Sequence, residues 1–142
     1  MRALLDVNVL IALLDSAHVH HARATAWLEH NLDEGWASCP ITQNGCIRII
    51  SQPAYPNAKP AAAVAQRLAD AAAQPWHEFW ADDVSLLEPG MADWSAILGS
   101  RQVTDAYLLA LAVRHEGRFV SFDAGINLKS VPGAHAASLV VL

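Results

Sequence analysis

A chain of 142 residues, 54% hydrophobic and 16% charged, has the length and composition of a single compact domain. It can bury roughly two-thirds of the surface its unfolded chain exposes, so it needs neither a disulfide nor a structural metal to fold. Nine basic against fourteen acidic residues give a formal charge of −5, which argues against tight, sequence-blind coating of nucleic acid.

The longest apolar stretches, such as Val7–Leu14 with Asn8 inside it, fall far short of the ~20 residues of a membrane span. Asp6 interrupts the short apolar run after Met1-Arg2, so no secretory signal is expected and the chain reads as cytoplasmic. Cys39 and Cys46 lack the spacing of a zinc site and read as small buried hydrophobes.

Arg2–Leu5 is a short apolar run ending at Asp6, suited to a buried strand. Val7–Leu14 starts a helix with Asp6 or Asn8 as its cap. His18–Leu32 reads as an amphipathic helix stopped before Gly35. Trp36–Cys39 is a second strand ended by Pro40, and Thr42 is the expected N-cap of a helix to about Ser51. Gln52–Lys59, with Pro53 and Pro56, is a loop. Pro60 is placed as first residue of an alanine-rich helix ending near Gln74-Pro75. His77–Trp80 is a third strand, Val84–Leu87 a short apolar piece and Met91–Leu98 a helix. Gly99–Val103 reads as a loop, with Thr104 as N-cap of an apolar, central helix Asp105–His115 stopped by Gly117. Arg118–Phe122 and Ser138–Leu142 complete the strands. Strands that alternate with helices and are apolar on both faces indicate an α/β three-layer sandwich around a mostly parallel sheet, as one domain over residues 1–142.

Asp6 and Asp123 each stand just past the end of a strand, at the edge where open parallel sheets bind ligands. Asp105, at the start of a helix, projects toward the same edge. Taken singly, Asp6 is a helix cap, Asp123 a turn residue and Asp105 a partner for its helix dipole. Three converging carboxylates, however, repel one another and resist burial in the ionised form. A divalent cation relieves both costs, and all-oxygen ligands suit Mg²⁺ or Mn²⁺.

Leu4-Leu5-Asp6-Val7-Asn8-Val9-Leu10-Ile11 resembles the opening strand and turn of the PIN-domain nucleases. Thr104-Asp105-Ala106-Tyr107-Leu108 is similar to their central acidic helix start, and Phe119-Val120-Ser121-Phe122-Asp123 to their late strand with its terminal aspartate. The His-rich, Trp-containing first helix and Cys39–Ile50 bring the VapC-type toxins of bacterial toxin–antitoxin pairs nearest. The resemblance covers essentially the whole chain. It implies a PIN-like fold and a Mg²⁺- or Mn²⁺-dependent endoribonuclease acting on a structured RNA such as transfer or ribosomal RNA. It also implies a homodimer and a VapB-type antitoxin partner. Carried over, Asp6, Asp105 and Asp123 would bind metal, and Asn8 and Thr104 would orient the site. Gln43 would stand where the family usually carries a glutamate. Glutamine keeps an oxygen but cannot take a proton or supply charge, so weak or absent cleavage is expected, with Gln43→Glu raising the rate in Mn²⁺. The alternative is a non-catalytic PIN domain that binds RNA or protein.

Other residues carry less. His18, His20 and His21 read as a solvated helix start without a metal partner, and the five tryptophans mostly as core or interface anchors. Arg48 and Arg101 could reach a phosphate or simply snorkel at the surface. An aspartyl phosphotransferase at Asp6 would want a second aspartate where Asn8 stands. A receiver domain would want paired acids that the chain lacks.

Overall fold

The computed structural model describes residues 1–142. Five short strands form one sheet: β1 Ala3–Leu5, β2 Trp36–Ser38, β3 His77–Phe79, β4 Arg118–Ser121 and β5 Leu139–Val141, in the order β3-β2-β1-β4-β5. Every pairing is parallel, with Leu4 opposite Ala37 on one side and Phe119 on the other. β1 is thus the middle strand, and residues 3–5 are buried on both faces. This explains an uninterrupted apolar run in place of an alternating one.

The alternation reappears in where side chains go. Leu4 and Phe119 enter a cluster with Leu108, Leu109 and Leu111 of helix α5 (Arg101–Arg114). Ala3, Leu5 and Val120 enter a second cluster on the opposite face. There they meet helices α1 (Val7–Leu14), α3 (Pro40–Ile50) and α4 (Ala61–Ala72), while α2 (His21–His30) packs on α1. One helix therefore covers one face and the rest cover the other, giving three layers. No helix is long and apolar enough to cross a membrane.

All five expected strands form, each trimmed by a residue or two. Asp6 is the N-cap of α1, accepting a hydrogen bond from the Val7 N–H; Asn8 lies inside the helix and does not cap it. Several helix boundaries differ from expectation. α2 begins at His21 and not His18, because residues 15–20 are spent turning the chain back over α1. Thr42 is not the N-cap of α3. The helix starts at Pro40, Cys39 is the cap, and the Thr42 hydroxyl accepts from the Cys39 N–H to close a capping box. Pro60 sits one residue outside α4. Met91–Leu98 contributes one 3₁₀ turn, Trp94–Ala96, capped by Asp93. α5 begins at Arg101, so Thr104 is an exposed residue of its first turns and not its cap. At the other end of α5, Gly117 is required by space. A Cβ there would lie 2.6 Å from the Arg2 carbonyl oxygen and 2.8 Å from the Trp80 ring.

Candidate functional site

Asp6 follows β1 directly, and its N–H continues the β1–β4 ladder by donating to the Val120 carbonyl at 2.9 Å. Its side chain is 8% exposed. One oxygen accepts from the Val7 N–H at 2.7 Å and the other from the Ser121 hydroxyl at 2.6 Å. Burial pushes the carboxyl above its usual range against the pull of these two bonds, and the neighbouring Asp123 adds to the rise. Asp105 stands one turn into α5, half-buried. Burial first, then the charges of Asp6 and Asp123, push it up to about 6. Asp123 accepts from the Gly125 N–H at 2.7 Å, an Asx turn that fixes its side chain at the end of β4.

The fold therefore brings the three acids within electrostatic reach of one another. None of them is paired with a base: the ion pairs of the chain are Met1–Glu34, Arg2–Glu78 and Arg118–Glu34. The donor set is oxygen-only, as a hard divalent cation requires. The side chains do not close into a cage, since no three His, Cys, Asp or Glu groups stand at ligating distance.

Ser121 is the residue that the sequence reading passed over. Its hydroxyl donates to Asp6 and accepts from Asn8 Nδ2 at 3.2 Å and from the Asp123 N–H at 3.0 Å. One donor and two lone pairs are thus fully used. Asn8 also accepts from the Phe122 N–H at 3.4 Å, so it ties α1 to the end of β4. The available signal was a polar residue two before Asp123 in an otherwise apolar strand.

Two other expected residues, Thr104 and Gln43, make no hydrogen bond to the acids. Gln43 Nε2 donates to the Ser38 hydroxyl at 2.9 Å, and Ser38 Oγ lies 2.8 Å from His77 Nε2. On α3, Gly45 packs against the start of α1, where a Cβ would lie 2.7 Å from Val7 Cγ2.

The histidines are less solvated than expected: the His20 ring stacks on Phe122 at 4.6 Å, and His21 Nδ1 lies 2.7 Å from the Ala12 carbonyl. Trp36 and Trp80 are core, whereas Trp76 and Trp94 are exposed. Both cysteines are buried, as expected.

The PIN domain family profile matches residues 3–132. The chain belongs to the PIN-domain family. It is 55% identical to Ribonuclease VapC44 of Mycobacterium tuberculosis (strain ATCC 25618 / H37Rv) over 142 residues, covering 100% of both chains. It is 47% identical to Ribonuclease VapC39 of the same strain over 128 residues, 89% of this chain and 91% of that one. These relatives place it with the VapC proteins. The solved structure of VapBC2 from Rickettsia felis, bound to a DNA fragment from their promoter, matches with a TM-score of 0.63 and 14% identity. The match covers 99% of this chain and 98% of that one, and it bears out the PIN fold.

Proposed function

We propose that this PIN-domain protein is a Mg²⁺- or Mn²⁺-dependent endoribonuclease, the toxin of a toxin–antitoxin pair, acting on a structured RNA such as transfer or ribosomal RNA. The observation that carries this reading is the proximity of Asp6, Asp105 and Asp123, with the charge of Asp123 raising Asp6 and those of Asp6 and Asp123 raising Asp105, and no basic side chain to neutralise them. Full-length identity of 55% to a protein named as a ribonuclease supports it.

Asp6, Asp105 and Asp123 would hold the cation, which supplies the positive charge and Lewis acidity that phosphodiester hydrolysis needs. The chain's own part is preorganisation. The Val7 N–H and the Ser121 hydroxyl hold both Asp6 oxygens in fixed directions. Asn8 and the Asp123 N–H lock the Ser121 hydroxyl so that its proton can only go to Asp6. Burial and the charges of Asp6 and Asp123 push Asp105 up to about 6, and a bound cation would favour its ionised form.

A VapB-type antitoxin and a second copy of the chain are the proposed partners. An antitoxin arginine reaching the acids would replace the cation by charge-assisted hydrogen bonds. The acidic total is compatible with an RNA substrate, because three of the fourteen acids attract metal at one place.

The deciding experiment is cleavage of total RNA in Mn²⁺ by the chain, by Asp6→Asn and in the presence of EDTA. Weak cleavage by the parent, as Gln43 in place of a glutamate implies, lost in the variant and on chelation, is expected. A parent that binds RNA without cutting it would establish the non-catalytic alternative.

A further inference from the structure

Trp94 opens a single 3₁₀ turn, Trp94–Ala96, on the stretch of chain between β3 and α5. The turn is pinned from both ends. The Asp93 carboxylate caps it, accepting from the Ser95 N–H at 3.0 Å and from the Ser95 hydroxyl at 2.6 Å. The Asp93 N–H donates to the Ser130 carbonyl at 2.9 Å, and Asn127 Nδ2 donates to the Ala96 carbonyl at 3.5 Å. Asn127 and Ser130 belong to the segment that follows Asp123, so the turn is fixed to the same edge of the sheet as the acids. Ala96 lines a small cavity together with Asp105 and Gly125. Two residues of chain reach at most about 7 Å, which bounds the distance from the Trp94 Cα to that of Ala96.

Trp94 is nevertheless 49% exposed, and Leu98, four residues on, is 83% exposed. Isolated apolar side chains at a surface are ordinary, but a rigidly mounted tryptophan with an apolar neighbour beside a candidate site marks a contact surface. Two cations flank it. Arg101 opens α5, and Lys129 lies in the 3₁₀ turn Leu128–Ser130, which packs on the turn of Trp94. Both are exposed, and neither takes part in the ion pairs of the chain.

We propose that Trp94 is a substrate-binding residue that stacks on an unpaired base of the RNA, with Arg101 and Lys129 meeting the flanking phosphates. The inference rests on the reading of RNA as substrate, and it narrows that substrate to a single-stranded stretch. Stacking on an aromatic face is available only to a base that has left its helix. It tolerates any sequence, because every base has such a face, so it selects strandedness. It involves no net charge, and the nearby carboxylates do not oppose it. The two cations favour RNA over a second copy of the chain, since a symmetric dimer built on this patch would bring both pairs of cations into one interface.

The test is binding in EDTA, where the proposed metal-dependent cut is off. The probes are a short unstructured RNA strand, its duplex, and a strand of abasic ribose phosphates of the same length. The parent, Trp94→Ala and Trp94→Phe are compared, with urea unfolding to show that each folds. The parent should prefer the strand to both other probes, and the strand should quench its tryptophan fluorescence. Trp94→Ala should bind the strand about tenfold more weakly, lose that quench and leave the abasic probe unchanged, while Trp94→Phe stays within about threefold of the parent. Arg101→Ala and Lys129→Ala should each lower the salt slope of strand binding by about 0.7. An equal loss on the strand and the abasic probe, or no loss on either, would overturn the inference. A parent dimer that Trp94→Ala splits, seen by sedimentation, would overturn it as well and assign the patch to a second copy. Cleavage of total RNA by the parent in Mn²⁺, measured separately, keeps the nuclease reading in all these cases. A parent that binds none of the probes overturns the inference, and if it also leaves total RNA intact the nuclease reading falls with it.

Discussion

Asp105→Asn should stabilise the metal-free protein while abolishing any metal-dependent activity. The parent carboxyl is raised from 3.8 to about 6, by burial and by the charges of Asp6 and Asp123. A shift of that size corresponds to about 3 kcal/mol, and because the group is half-exposed, solvent screening reduces it to about 1 kcal/mol. The sign follows from proton linkage. Between pH 3.8 and about 6 the folded state binds more protons at Asp105 than the unfolded state, so parent stability falls as pH rises through that window. Asparagine has nothing to ionise and escapes the loss. Urea unfolding in EDTA should show the variant's midpoint higher by about half a molar at pH 7.5, with the difference gone by pH 3.5. Added Mg²⁺ should reverse the order by stabilising only the parent. An equal or lower midpoint for the variant at pH 7.5, or a difference independent of pH, would refute the repulsion argument.

Ser121→Ala leaves the second Asp6 oxygen, Asn8 Nδ2 and the Asp123 N–H without their shared partner. Denaturant unfolding should show a loss of about 2–4 kcal/mol. Gly117→Ala forces a methyl against the Arg2 carbonyl and the Trp80 ring and should cost about 1–3 kcal/mol in the same assay. Gln43→Glu puts a carboxylate against Ser38 in the chain that ends at His77. His77, now held below its ordinary 6.5 chiefly by burial, should titrate higher by NMR. Mn²⁺ affinity should stay within about twofold, since Gln43 makes no hydrogen bond to the acids; a large gain would place position 43 in the metal site.

The legible parts of this sequence were those where one physical signal dominates. Leu4-Leu5-Asp6 and Phe119-Val120 are apolar on both faces, which only a central parallel strand tolerates, and an acid closing such a run falls on the ligand-binding edge. The ends of helices were harder. Gly99 and Ser100 look like loop and Thr104 like a cap, yet α5 begins at Arg101 because the Gln102 side chain reaches back to the Leu98 and Gly99 N–H groups. A glutamine reaching back three and four residues from inside the first turn is not among the usual helix-start signals. Gln43 was placed by resemblance at the site, and its partner proved to be Ser38, on a strand whose small polar residue reads from sequence as filler. Ser121 escaped for the same reason. A hydroxyl in a buried strand acquires meaning only when Asp6 and Asn8, more than a hundred residues earlier, are seen to share it.

The placement of β1 at the centre of the sheet bears on when the three acids can first come together. The first strand made has only β2 beside it until β4, more than a hundred residues later, arrives to close its other edge. Asp6 waits as long for Asp105 and Asp123. A ribosome must therefore release nearly the whole chain before the three carboxylates can meet, because such distant pairings close late. A product cut short before α5 would carry one acid of the three and no second face to its sheet. The order of synthesis itself delays the site, and a partner bound at that stage would meet a chain that has not yet assembled it.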